Sequence, residues 1–214
     1  WPRRLRHLRS HGIFLMYNGD FGKWPYGSVF TMQNGIGARI ADGWYAGPGH
    51  GGAILSFTFR MADIGEPGIP FNTRLVARCK WIRPFAYPNP WMTFLEWGEA
   101  HGVPRGLGVR LHQDSTVTPS IYVRTYPGEP SVSMRQICWR SMGNGTGGSP
   151  DPADIYGLPN VIGDQWQLIQ DTLYIPPIGG LALNSNGDDY FGYGLDILQD
   201  GYGHGIEFAM ADGV

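Results

Sequence analysis

The stretch AILSFTFRM at residues 53–61 alternates apolar and polar side chains along its length. Because successive side chains of a β-strand point to opposite faces, this alternation predicts a strand with one face in a hydrophobic core. The residues of that apolar face are Ala53, Leu55, Phe57, Phe59 and Met61.

The next stretch, TRLVARCKWI at residues 73–82, repeats this alternation. Its two predicted faces differ in character, one being apolar (Leu75, Ala77, Cys79 and Trp81) and the other basic (Arg74, Arg78 and Lys80). A strand with these two faces fits a layer that packs on a core with one side only.

Further strand-like runs continue to the end of the chain, and with these two they make about nine or ten. They are WMTFLEW (91–97), LGVRLH (107–112), SIYVRTY (120–126), SVSMRQICW (131–139), WQLIQDTLYI (166–175), FGYGLDIL (191–198) and GIEFAMA (205–211). The 33 glycines and 17 prolines suit many short strands joined by turns, and they disfavour long helices. The sequence therefore predicts an all-β fold, an antiparallel β-sandwich of the jelly-roll type.

The predicted domain organisation is simple. Residues 13–214 form one jelly-roll domain, and residues 1–12 form an N-terminal arm or connector with four arginines and no acidic residue. The Gly-, Pro- and Asp-rich segment at residues 141–160 is predicted to be a long loop inside the domain, since the strands after it are needed to close the sheets.

The charges of the chain are unevenly distributed. Residues 1–140 contain all 16 basic residues and eight acids, whereas residues 141–214 contain ten acids and no Lys or Arg. The two oppositely charged parts either interleave within one fold or pair between copies. The overall net charge of −2 argues against a nucleic-acid partner, and the lack of an 18-residue apolar run argues against a membrane span.

The two cysteines, Cys79 and Cys138, are too few for a disulfide framework. Cys79 falls on the apolar side of its run, which favours buried free thiols. A single bridge remains the alternative if the two strands lie side by side.

No motif indicates catalysis. Glu96 and Glu99 are three residues apart, so in a strand they point to opposite faces and form the paired carboxylates of a glycosidase only if a bulge at Gly98 intervenes. The six histidines form no close metal-binding pair. Asp188 and Asp189 lie in a turn-like segment, which favours a solvated loop and leaves a site for a hard cation such as calcium as the alternative. We expect a protein that is not an enzyme.

Aromatic residues give the stronger functional signal. In SIYVRTY, if Ile121 and Val123 face the core, the alternate residues form an aromatic and basic stripe on the other face. Such a stripe fits glycan binding or a subunit interface, and the alternative is a strand covered by a neighbouring loop. The candidate carbohydrate-binding or interface residues are Tyr122, Arg124, Tyr126, Trp91 and Trp97.

The segments NGDFGKWPYGS (18–28) and IADGWYAG (40–47) resemble the opening of carbohydrate-binding-module-like jelly rolls from phage tail-fibre and other virion proteins. WQLIQDTLYIPPIGG (166–180), NGDDYFGYGLDIL (186–198) and IEFAMADGV (206–214) resemble the closing strands of that family. In carbohydrate-binding relatives a structural calcium often links the first strand to the last. Asp20 and Asp212 stand at comparable positions here and are the implied ligands.

This resemblance implies a non-catalytic virion structural protein, such as a fibre, spike or capsid decoration module. Its expected partners are other virion proteins, copies of itself in a homotrimer, and a host surface glycan. The alternatives are a carbohydrate-binding module of a polysaccharide-degrading enzyme, or a β-sandwich polysaccharide lyase or glycosidase.

Overall fold

The computed structural model describes residues 29–33, 38–41, 44–46, 54–70, 73, 75–83, 91–97, 114–141, 155–177, 179, 190–197 and 205–209. Within these ranges every regular element is a β-strand and every strand pairing is antiparallel. The strands, in chain order, are β1 (Val29–Gln33), β2 (Ala38–Ala41), β3 (Trp44–Ala46), β4 (Ile54–Met61), β5 (Leu75–Arg83), β6 (Trp91–Trp97), β7 (Ser115–Val117), β8 (Ser120–Thr125), β9 (Val132–Ser141), β10 (Ile155–Tyr156), β11 (Asn160–Ile162), β12 (Gln167–Gln170), β13 (Leu173–Ile175), β14 (Tyr190–Ile197) and β15 (Gly205–Ala209).

Two sheets make up the body of the domain. The first is six-stranded, with the order β1-β4-β5-β15-β8-β12. The second has the order β10-β9-β14-β6, and β11 also pairs with β9. The chain moves back and forth between the sheets, since β8, β12 and β15 belong to the first while β9 and β14 belong to the second. The predicted all-β sandwich of the jelly-roll type is therefore confirmed.

The hydrophobic core lies between these sheets. Every second residue of β8 and of residues 132–138 of β9 is buried, as the period of two requires, whereas the central strand β15 is buried along its whole length. The six-stranded sheet contributes Ala77, Cys79, Ile121, Val123, Ile169, Ile206 and Phe208 to the core, and the second sheet contributes Val132, Met134, Cys138 and Leu195.

One buried polar residue ties the two sheets together. The side chain of Gln136, on β9, donates from Nε2 to the carbonyl oxygens of Pro119 and Ile169, each at 3.2 Å. Its Oε1 accepts from the backbone N–H of Asp171 at 3.1 Å. A buried amide needs such partners, because leaving its polar atoms unpaired costs about 1–3 kcal/mol.

This contact marks a place where the sequence prediction is wrong in detail. WQLIQDTLYI was predicted as one strand, but the structure has two, β12 and β13, separated by Asp171 and Thr172. They pair with different partners, β8 and β7, and Gln136 holds the backbone N–H of Asp171 between them. The segment predicted as a loop at residues 141–160 also contains β10 and the first residue of β11.

Both cysteines are buried free thiols, as the sequence favoured. Cys79 lies on β5 of the first sheet and Cys138 on β9 of the second. Burial raises the pKa of the Cys138 thiol to about 12 and that of the Cys79 thiol well above its ordinary value. Neither thiol is a nucleophile at neutral pH.

In the part of the chain described, no helix is long and apolar enough to cross a membrane. The N-terminal arm predicted for residues 1–12 and the run LGVRLH (107–112) lie outside the described residues.

Candidate functional site

The most polar feature of the first sheet is a row of charged residues on the face turned away from the core, hereafter the outer face. The central strand β15 places Glu207 directly between Arg78 of β5 and Arg124 of β8. Arg60 comes from β4, the strand next to β5. Arg78 and Arg124 flank Glu207 in register, while Arg60 pairs with Val76 and reaches the carboxylate diagonally, so Glu207 lies among three guanidinium groups.

Glu207 makes close contacts with all three arginines. Its Oε2 accepts from Nε and Nη2 of Arg124 at 2.8 and 2.6 Å. Arg60 donates from Nε to Oε1 at 2.9 Å and from Nη2 to Oε2 at 3.0 Å, a bidentate pairing. The Nε of Arg78 lies 3.0 Å from Oε1, which is ion-pair distance, although its geometry is outside that of a hydrogen bond.

A second carboxylate, Glu66, enters the cluster from the turn after β4. Arg60 donates to both of its oxygens, at 2.9 and 2.8 Å, and Nη2 of Arg124 donates at 3.1 Å. The indole Nε1 of Trp166 donates to Oε1 at 2.9 Å. We name Arg60, Arg78, Arg124, Glu66 and Glu207 the charged cluster.

In the charged cluster the acidic side chains are more deeply buried than the basic ones. The carboxylate side chains are 3% exposed for Glu207 and 7% for Glu66. The guanidinium side chains above them are 19% exposed for Arg124, 22% for Arg60 and 37% for Arg78. The acidic groups therefore lie beneath the basic ones, and three cations against two anions leave one net positive charge at the surface.

Aromatic rings flank this cluster at both ends. The guanidinium carbon of Arg124 lies 4.6 Å from the centroid of the Trp166 ring, and that of Arg78 lies 4.4 Å from the centroid of Tyr126. Both are cation–π distances. Gly205 lies directly beneath Tyr126, where a Cβ atom would come within 2.3 Å of the ring, so only glycine leaves room for this tyrosine.

A second ion pair borders Tyr126. Nζ of Lys80 lies 3.0 Å from Oε1 of Glu129, and it lies 5.7 Å from the Tyr126 ring centroid. The other carboxylate oxygen of Glu129 accepts a hydrogen bond from the backbone N–H of Gly205. Here too the cation is the more exposed partner, because the side chain of Lys80 is 46% exposed and that of Glu129 is 19% exposed.

The protonation states follow from these contacts. The hydrogen bonds from Arg60 lower the pKa of Glu66 to about 2, against the opposing effect of burial and with help from Trp166. Burial alone raises the pKa of Glu207, but hydrogen bonds from Arg60 and Arg124 outweigh it and leave the pKa lowered. Both carboxylates are ionised at neutral pH and fully engaged.

Two converging carboxylates raise the question of acid–base catalysis, as in a glycosidase. A general acid must hold its proton near neutral pH, which requires a raised pKa. Glu66 and Glu207 have lowered pKa values and are shielded by arginines. This pair is therefore built to hold the surface together and not to transfer protons.

The stripe proposed from the sequence has the predicted alternation. Ile121 and Val123 are fully buried in the core, while Tyr122, Arg124 and Tyr126 are partly exposed on the outer face. Arg124 is not an independent surface charge, however, because it is held by Glu207 and Glu66. The functional role of the stripe stays a prediction.

The other predicted site residues do not lie on the six-stranded sheet or lie outside the described residues. Trp91 and Trp97 are the first and last residues of β6, which belongs to the second sheet, so they are not on the sheet that carries the stripe. Asp20 and Asp212 lie outside the described residues, and their calcium site stays a prediction. Within the described ranges no group of three or more His, Cys, Asp or Glu residues is arranged to hold a metal ion.

The sequence reasoning missed Arg60, Glu66, Trp166 and Glu207 as parts of one site. One signal was available, because the apolar run GIEFAMA contains a single charge, Glu207, at a position that a sheet must bury. A buried carboxylate implies cationic partners. Nothing in the sequence indicates which of the 14 arginines supply them.

No protein-family model and no curated protein sequence matches the chain. Among solved structures, it is similar to the CBM22-1 xylan-binding domain of Xyn10C from Paenibacillus barcinonensis, at 15% identity and a TM-score of 0.44, covering 88% of this chain and 94% of that one. It is also similar to a family 11 carbohydrate-binding module from Clostridium thermocellum, solved with a β-1,3-1,4-mixed-linked tetrasaccharide, at 9% identity and a TM-score of 0.45, covering 86% and 93%. A cyclase from Fischerella sp. is similar at 11% identity and a TM-score of 0.43, covering 92% and 93%. These scores are all below 0.5, so the likenesses carry no argument about what this chain does.

We expect Glu207→Gln to reduce the free energy of unfolding by about 3–5 kcal/mol, because it leaves three arginines around a neutral amide. Urea denaturation at pH 7 measures this loss. The matched control is Lys80→Gln in the more exposed ion pair, with an expected loss below about 1 kcal/mol. Equal losses for the two variants would contradict a supporting role for the charged cluster.

The lowered pKa of Glu66 predicts a pH dependence of stability. A carboxylate with a lowered folded-state pKa stabilises the fold above its unfolded-state value near 4.5, and this contribution is lost as the pH falls toward about 2. The difference in unfolding free energy between the wild type and Glu66→Gln should therefore be full at pH 7 and shrink between pH 4.5 and 2. A difference that does not change with pH would be evidence against the pairing.

Proposed function

We propose that the chain is a non-catalytic glycan-binding module that binds sugar on the outer face of the six-stranded sheet. The observation that carries this proposal is the arrangement of partly exposed aromatic rings around a rigid charged cluster. Aromatic rings pack against the apolar faces of sugar rings, and neighbouring polar groups select the hydroxyl positions.

Tyr122 lies on β8, next to the edge strand of the sheet. Its neighbours across the sheet are Leu168 on β12 and Ala209 on β15. Leu168 is 49% exposed, so an apolar strip continues from the tyrosine to the edge of the sheet. Trp166 precedes β12 at that same edge and is held by its hydrogen bond to Glu66.

The surface is also pre-organised, which favours binding because little side-chain entropy remains to be lost. Trp166 is packed closely against Gly68, where a Cβ atom would come within 2.7 Å of its side chain. Tyr126 is held between Arg78 and Gly205. Arg124 makes hydrogen bonds to two different carboxylates.

The biological setting that we propose is a phage particle, where the module serves as a fibre, spike or capsid decoration domain. The support for this setting is the resemblance of residues 18–28 and 40–47 to the opening of such modules. In this setting the chain assembles as a homotrimer, contacts other virion proteins and meets host glycan. The second candidate is a carbohydrate-binding module attached to a polysaccharide-degrading enzyme, which the same outer face supports equally well.

We expect Tyr122→Ala to weaken glycan binding by about tenfold or more, because a few aromatic contacts carry much of the binding energy. The measurement is affinity gel electrophoresis with xylan, mixed-linkage β-glucan, polygalacturonate and alginate in the gel. The matched control is Tyr174→Ala, which removes an exposed tyrosine on β13, outside the six-stranded sheet. Failure of every polysaccharide to retard the wild-type protein would contradict the proposal.

For the phage setting, native mass spectrometry of the purified full chain should show a homotrimer. A trimer that persists on dilution to nanomolar concentration supports a particle-bound module. A monomer at every concentration tested contradicts the homotrimer and favours the enzyme-attached module.

A further inference from the structure

We infer that the outer face selects acidic glycans, meaning those with carboxylate-bearing sugar units, over neutral glycans of the same backbone. This inference rests on the proposed glycan-binding function and adds the charge of the ligand. Its basis is the layering of the charged cluster, in which the basic groups lie above the acidic ones.

The first step concerns what an approaching ligand meets. Glu66 and Glu207 are almost completely covered, whereas the three arginines above them retain exposed surface. In the ion pair of Lys80 and Glu129, which borders Tyr126, the cation is likewise more exposed than the carboxylate. The side of the surface that faces solvent is therefore basic at each of these positions, although the chain as a whole has a net charge of −2.

The second step concerns which group has donors to spare. Arg60 and Arg124 donate several hydrogen bonds each to the two carboxylates. Arg78 contacts Glu207 only as an ion pair through Nε, and that atom is buried, so the donors left to face a ligand are the terminal nitrogens of its guanidinium group. Arg78 is also the most exposed of the three guanidinium groups.

The third step concerns the chemistry that this guanidinium group recognises. An arginine side chain presents a planar fork of donors whose spacing matches the two oxygens of a carboxylate. The guanidinium of Arg78 is placed over Tyr126, so it has a fixed position beside an aromatic ring. A sugar ring that packs on the aromatic side chains of this face would bring a carboxylate substituent to Arg78.

The test uses two polymers with one backbone, polygalacturonate and its fully methyl-esterified form. Dextran sulfate, which carries sulfate and no carboxylate, is the sulfate-bearing comparison, and mixed-linkage β-glucan is the neutral one. Isothermal titration calorimetry of the full chain at low salt should show binding to polygalacturonate that is at least about tenfold tighter than binding to the ester. The preference should decrease as salt is raised, because exposed charges are screened.

The diagnostic variant is Arg78→Gln, which should lose about tenfold in affinity for polygalacturonate and bring it close to that of the ester. The matched control is Arg135→Gln on β9 of the second sheet, where the arginine lies over Tyr156 at 3.7 Å. Both variants remove one positive charge, so a general charge effect would weaken both equally and would overturn the inference. The salt dependence of the wild-type preference gives a second test that does not require the Arg78 variant to fold.

The remaining outcomes separate the inference from the proposed function. Equal affinity for the acid and the ester, or preference for the neutral β-glucan, overturns acid selection and leaves glycan binding intact. Tighter binding to dextran sulfate than to polygalacturonate overturns the assignment of a carboxylate. Absence of binding to all four polymers overturns the proposed function, and acid selection fails with it.

Discussion

A buried carboxylate among three arginines is the constraint on which this molecule depends. Glu207 lies in the middle of the six-stranded sheet, on a strand that is buried along its whole length. An ionised carboxylate in such a place is costly unless it is paired and hydrogen-bonded. Arg60, Arg78 and Arg124 meet this requirement, and each comes from a different strand.

This requirement also fixes the register of the sheet. A shift of β15 by one residue would turn Glu207 into the apolar core and turn Ile206 and Phe208 out of it. The alignment of Glu207 between Arg78 and Arg124 therefore specifies how the last described strand joins β5 and β8. Because Trp166 and Tyr126 contact the same cluster, the positions of these aromatic side chains follow from the same pairing.

The uneven charge of the sequence has an explanation in these contacts. Glu207 comes from the acidic part of the chain, residues 141–214, and its arginine partners come from the basic part, residues 1–140. The two parts thus interleave within one fold at this site, which was one of the two alternatives that the sequence left open. Opposite charges that lie far apart in the sequence are brought together by the crossing of the chain between sheets.

Much of the fold could be predicted from the sequence, because a period of two reports directly which side of a strand is buried. The alternation in SIYVRTY separates Ile121 and Val123 from Tyr122, Arg124 and Tyr126, and the structure meets the condition that the first two face the core. The division of WQLIQDTLYI into two strands could not be predicted, since it depends on a hydrogen bond from Asp171 to Gln136, a residue on the other sheet. The partners of Arg124 were likewise hidden, because Glu66 and Glu207 are 58 and 83 residues away in the chain.

The central claim is that Glu207 and Arg124 are energetically coupled, and a double-mutant cycle with Glu207→Gln and Arg124→Gln measures that coupling directly. Unfolding free energies of the wild type, both single variants and the double variant should give a coupling of about 1.5–3 kcal/mol at low salt. Additive effects of the two substitutions, with no coupling beyond about 0.5 kcal/mol, would contradict the account.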